Sequence, residues 1–150
     1  MNIIQTITQF NVKNVFYFEP IKNNVITDSN FIRIIYSTEN ISLNNITLLI
    51  SFNSPNIEKY FNKYKCTFNT LLNNELIEQI KNIEFDLLKT IALLDKIPQY
   101  KINEQLQNGL IHFFSNNYKK TNLIILKISG IWFDASSYGL TYKFINQQQS

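Results

Sequence analysis

The sequence predicts an α+β fold: a mostly antiparallel sheet, open or curled into a small barrel, with one substantial inserted helix and a C-terminal β-hairpin. Three observations carry this. Residues 123–145, LIILKISGIWFDASSYGLTYKFI, are two β-rich runs around a polar break at Asp134, Ala135, Ser136 and Ser137. Upstream, short β-branched and aromatic runs stop at Pro20 and Pro55 or in Asn- and Ser-rich clusters. Between them, residues 73–94 change to the 3.6-residue period of an amphipathic helix. The 150 residues make one domain, long enough to bury about two thirds of the surface of the unfolded chain. Residues 147–150 form a short polar tail expected to fray.

In order, residues 6–18 read as one or two strands, with Val12, Asn14, Phe16 and Phe18 on one side and Lys13, Val15 and Tyr17 on the other. Residues 21–30 are polar and read as a loop. Residues 31–36 and 47–52 are compact strands. Ile57, Tyr60, Phe61 and Tyr64 have helical spacing, so residues 56–68 give a short helix, with a strand over residues 64–68 as the alternative. Asn73 or Asn74 can N-cap the main helix, whose first turn carries Glu75 and Glu78 where the helix dipole favours carboxylates. Leu76, Ile80, Ile83, Leu87, Ile91 and Leu94 form its stripe, widened by Ile77 and Leu88, and a stripe this wide packs on a sheet. Pro98 ends the helical region. Residues 100–114 mix helical spacing at Ile102, Leu106 and Leu110 with a β-favouring end. Residues 116–122 read as a polar loop carrying Lys119 and Lys120.

The closing hairpin has two distinct faces. With Asp134 to Ser137 as the loop, Phe133, Ile131, Ser129 and Lys127 stand opposite Tyr138, Leu140, Tyr142 and Phe144, a mostly apolar face expected to be core. The other face sets Leu126, Ile128, Gly130 and Trp132 opposite Ile145, Lys143, Thr141 and Gly139. There the indole either fills the space over Gly139 or meets a ligand.

Composition narrows the function. The formal charge is +3, from thirteen lysines and Arg33 against eleven carboxylates. A duplex reader normally shows a basic stripe and several arginines, which this chain lacks. A single-strand binder needs less charge, because bases stack on aromatic rings, and the chain holds eight Tyr and twelve Phe. Cys66 is alone, so no intramolecular disulfide forms. The N-terminus shows neither the basic region nor the apolar run of a signal peptide, and no membrane-length apolar run occurs. An intracellular, cytoplasmic or nuclear protein is therefore expected.

Catalysis finds little support. His112 is the one histidine and lies in the strand-like run Leu110, Ile111, His112, Phe113, Phe114, where a structural role is expected. One His and one Cys do not make a transition-metal site. Gly109, Gly130 and Gly139 are too dispersed for a phosphate loop. Glu84 and Asp86 lie two apart on the predicted helix and diverge. No cofactor, metal or small-molecule substrate is implied.

The combination suits an OB-like barrel presenting a sheet face to single-stranded nucleic acid. On it Trp132, with Tyr36, Tyr138 or Tyr142, would stack on bases. Lys127, Lys143, Lys119, Lys120 and Arg33 would meet phosphates. The alternative is a structural or scaffold protein using the aromatic hairpin as a protein interface, and a contact between copies could serve either role. The blocks FIRIIYS (residues 31–37), YKC (64–66), ILKISGIW (125–132) and YGLTYKF (138–144) resemble those of a family of small uncharacterised proteins of large nucleocytoplasmic DNA viruses. The resemblance covers most of the chain from about Tyr17 onward. It implies a viral factory as the setting and either cover for single-stranded replication intermediates or virion construction as the role. It brings no catalytic residues.

Overall fold

In the computed structural model, residues 3–22, 29–61, 63–114 and 123–146 are described. They hold twelve strands and two α-helices: β1 (Gln5–Thr6), β2 (Val15–Tyr17), β3 (Ile21–Lys22), β4 (Asn30–Ser37), β5 (Ser42–Leu43), β6 (Ile46–Ser51), β7 (Asn56–Tyr60), β8 (Lys63–Thr67), α1 (Asn74–Ile91), β9 (Ile97–Gln99), α2 (Lys101–Gln107), β10 (Leu110–Phe114), β11 (Leu123–Phe133) and β12 (Ser137–Asn146). The fold is α+β and mostly sheet. The main path runs β1-β6-β11-β12-β10-β8-β7 and stays open, so no closed barrel forms. Most pairs are antiparallel; β1 with β6, β10 with β12 and β9 with β12 are parallel.

The C-terminal hairpin is the spine of the sheet. The turn at Asp134 forms as its residue types dictate: the Oδ1 atom accepts the amides of Ser136 and Ser137 at 3.0 and 2.8 Å. Those two bonds hold the carboxyl below its ordinary range. From Phe133 opposite Tyr138 to Gly130 opposite Thr141 the register is the one the sequence predicts. Then β11 bulges at Ser129, whose hydroxyl donates to the Thr141 carbonyl at 3.3 Å. One extra residue in one strand exchanges its faces. Ile128, Leu126 and Ile124 turn inward opposite Tyr142, Phe144 and Asn146, and Lys127 turns outward opposite Lys143. This corrects the expected Lys127–Phe144 pairing. The bulge also marks a change of neighbour, because β11 pairs with β6 before Ser129 and with β4 after it.

The inner face packs under the helices. Leu48, Ile128, Ile131, Leu87, Leu88, Ile102 and Leu106 are wholly enclosed. The α1 stripe is as predicted at Ile77, Ile80, Ile83, Leu87 and Leu88. It stops short of Leu94, which is 97% exposed, because Ala92 takes a left-handed conformation with φ 45° and ends the helix. Asn73 stands at the N-cap, but its side chain ties the loop after β6 instead, accepting the Asn53 amide at 2.7 Å. The α2 N-terminus is served from outside: the amides of Ile102 and Asn103 donate to Glu84 at 2.9 and 2.8 Å. Glu84 is thus a buried capping group.

Three local expectations change or are settled. Asn56–Tyr60 and Lys63–Thr67 pair as the β7–β8 hairpin rather than forming a helix, because Tyr64 and Cys66 alternate into the core while Lys63 and Lys65 face out. Residues 100–114 resolve into α2 and β10, separated by Gly109 at φ 71°. A Cβ there would meet the Phe68 carbonyl at 2.8 Å, so both conformation and space call for glycine. Residues 21–22, expected in a loop, form β3 against Phe31 and Asn30.

Candidate functional site

The face of the sheet turned away from the helices gathers the cations. Strand residues alternate sides, so partners in register share a face. Lys127 on β11 lies opposite Lys143 on β12. Phe144 pairs with Phe113 inside, so the residues before them, Lys143 and His112, are neighbours outside. His112 in turn lies opposite Lys65 on β8, and Glu58 on β7 closes the row as the partner of Lys65. At about 4.8 Å between strands, the row from Lys127 to Lys65 is about 14 Å long. Lys143, His112 and Lys65 are exposed and Lys127 is half-buried. No ion pair joins Lys65, Lys127 or Lys143 to a carboxylate among the described residues.

Aromatic rings border this row. Arg33 on β4 is the partner of Gly130, one step along β11 from the bulge, and is exposed. Its guanidinium carbon lies 6.0 Å from the centre of the Phe18 ring. Phe16 opposes Ile35 on the same outer side, and Phe16 and Phe18 are 55% and 47% exposed. These rings face solvent because Val15 and Tyr17 take the inner positions; the Tyr17 hydroxyl donates to the Leu87 carbonyl at 3.0 Å. Phe31 covers Gly130, where an added Cβ would meet its ring at 2.5 Å. Trp132 covers Gly139 in the same way, its Nε1 3.0 Å from an added Cβ. The ammonium of Lys101 lies 5.1 Å from the indole centre, a cation–π contact. The two glycines therefore seat two rings on the outer face.

The residues expected from sequence divide between the two faces. Arg33, Lys127, Lys143 and Trp132 come together on the outer one. Tyr36 and Tyr138 lie in the core, 1% and 6% exposed, which withdraws both as stacking platforms. The Tyr36 hydroxyl accepts from the Asn11 amide at 3.2 Å and the Asn14 side chain at 3.3 Å, and that of Tyr138 donates to the Leu88 carbonyl at 3.4 Å. Tyr142 is half-buried on the inner face; its hydroxyl donates to Gln105 at 2.8 Å, and burial, with Glu84 and Glu104 nearby, pushes it up to about 12. Lys119 and Lys120 lie outside the described residues.

Sequence reading missed Phe16, Phe18, Lys65 and the exposure of His112. The signal was present: Phe16 and Phe18 share one side of a strand whose other side is Val15 and Tyr17, and His112 alternates with Ile111 and Phe113. Cys66 is enclosed, and burial pushes its thiol up to about 11, far from a thiolate nucleophile at neutral pH. Among the described residues no three His, Cys, Asp or Glu side chains converge on a metal position, and no helix is long and apolar enough to cross a membrane. No family model, curated protein or solved structure matches the chain.

Proposed function

We propose that the protein binds single-stranded nucleic acid across the outer face of its sheet, without catalysis. The observation that carries this reading is the row of Lys127, Lys143, His112 and Lys65, in which Lys127 and Lys143 stand directly opposite and the one carboxylate, Glu58, lies at the far end. Like charges set directly opposite in a sheet are destabilising. A polyanion laid along the row removes that repulsion, and its phosphates release counterions on contact with the lysines. The bordering rings supply the other half of the recognition, because a base stacks on an aromatic face whatever its identity. Phe16, Phe18 and Trp132 take this part in place of the buried tyrosines, with Arg33 and Lys101 beside them as cations. The face works in the manner of an OB-type sheet, using its strands as platform. In a large DNA virus, the setting that the strand blocks imply, such a protein would cover exposed single strands.

The test is a titration with oligothymidylate at several salt concentrations, read by the fluorescence of Trp132, the one tryptophan. Saturable quenching is expected, with a slope of log affinity against log salt that falls in magnitude by about 0.7 in Lys143→Ala. Absence of binding at low salt overturns the reading. The competing role, assembly of a scaffold, draws on Phe16, Phe18 and Ile21, which are 55%, 47% and 59% exposed around β3 and form an apolar surface suited to a protein partner. Light scattering separates the two, since that role predicts concentration-dependent oligomers lost in Phe16→Ser and indifferent to oligonucleotide.

A further inference from the structure

We propose that the tip of the β7–β8 hairpin, with Tyr60 and Phe61, is an end clamp that stacks on a base of the strand lying along the lysine row; this inference rests on the reading above. Two independent features single out the tip. Tyr60 and Phe61 are 67% and 81% exposed, and their rings meet edge to face with centres 4.9 Å apart. Phe61 also adopts φ 58°, the left-handed region. A two-residue hairpin connection favours Asn or Gly there, and a bulky side chain is disfavoured. A phenylalanine that is both strained and 81% exposed buries little apolar surface in return, and strain of this kind collects at functional positions.

The position of the tip fits the end of the row. Tyr60 is the partner of Lys63 and shares the outer face with Lys65 two residues on. In the strand order β4, β11, β12, β10, β8, β7, the tip belongs to the last pair. Five interstrand steps, about 24 Å, separate Arg33 on β4 from Tyr60 on β7 across the strands, and the registers set them level with Thr141 and Ile145, about 13 Å apart along β12. A stacked strand advances about 3.4 Å per nucleotide, so about eight nucleotides cover the diagonal of about 27 Å. The occupant is a single-stranded polyanion with bases to stack. The cations lead up to the rings without interruption except at Glu58, which is paired across from Lys65.

The experiment uses the full chain and labelled oligothymidylates of three, four, six, eight and twelve nucleotides, read by anisotropy, with the thermal midpoint of each variant measured alongside. In the unaltered protein affinity is expected to climb with length to about eight nucleotides and then level off. Phe61→Gly is expected to lose about five- to 150-fold for the two longest oligonucleotides, the range of one lost stack, and less than twofold for the shortest. Its thermal midpoint is expected to hold or rise, because glycine accepts the left-handed conformation. Phe61→Asn, which also tolerates that conformation, is expected to repeat the pattern. Equal binding by the variants at every length, or an equal loss at every length, overturns the clamp while leaving the lysine row in place. Failure of the unaltered protein to bind any of the oligonucleotides overturns both.

Discussion

Glu84 carries more of the fold than its place in the sequence suggests. It is 1% exposed, and each of its carboxylate oxygens accepts a backbone N–H at the start of α2. Two effects compete at the carboxyl. Desolvation, the larger, raises its affinity for a proton, and the two N–H donors lower it, so the net direction is upward. A carboxyl that holds its proton more tightly folded than unfolded makes the unfolded chain the poorer proton binder, so stability falls as pH rises from the ordinary carboxylate range, about 4.3, through the raised folded value. Denaturant unfolding at a series of pH values should show this decline in the unaltered protein and its absence in Glu84→Gln. The glutamine keeps one acceptor and loses the other, so at pH 5 it is expected to be less stable by about 1–3 kcal/mol. A Glu84→Gln profile parallel to that of the unaltered protein would remove Glu84 as the source. The role was hidden in the sequence, where Glu84 and Asp86 read as two diverging acids on one helix; nothing local shows that a second helix begins against the first.

At the scale of elements, legibility followed the strength of the local pattern. The main helix and the hairpin turn announce themselves, one by a long apolar stripe and the other by an Asp whose side chain closes the turn. The β7–β8 hairpin does not, because Ile57, Tyr60 and Tyr64 have helical spacing while Tyr64 and Cys66 alternate with Lys63 and Lys65, and only the enclosure of Tyr64 and Cys66 decides between the two periods. The bulge at Ser129 was equally hidden. Its cause is tertiary, the exchange of β6 for β4 as neighbour, and its effect is to move Lys127 from the predicted core to the outer face. Edge design at β7 is legible once the strand is known. A second copy adding to this edge about a two-fold axis must pair residues of one face, and the registers centred on the middle of the strand place Glu58 against Glu58 or Lys59 against Lys59. Like charges opposed in this way discourage edge-to-edge association. The double variant Glu58→Thr, Lys59→Thr is therefore expected to self-associate at concentrations where the unaltered chain does not, as read by sedimentation velocity. Unchanged sedimentation would mean that another feature protects the edge.

For the whole molecule, the two faces of one sheet answer to different demands. The inner face is closed by α1 and α2 and needs shape; the outer face holds Arg33, Lys127, Lys143, His112 and Lys65 and needs charge. Sequence alone named Arg33, Lys127, Lys143 and Trp132 as binding residues, Lys127 in spite of its place on the predicted core face, but named Tyr36, Tyr138 and Tyr142 with them, because a tyrosine in an amphipathic strand looks the same from either side. The division predicts that stability and binding move in opposite directions when the row is altered. Lys127→Glu converts the Lys127–Lys143 opposition into an attractive cross-strand pair, expected to stabilise the fold by about 0.2–1 kcal/mol. The same change puts a carboxylate in the path of the phosphates. Urea unfolding should therefore show a midpoint that rises while oligothymidylate affinity falls at least tenfold. The contrast matters because a variant that merely damages the fold lowers both. If Lys127→Glu gains stability and binds as tightly as before, the row is a solvated face and the polyanion lies elsewhere. If it gains neither stability nor loses affinity, the two ammonium groups are too far apart in solution to sense each other.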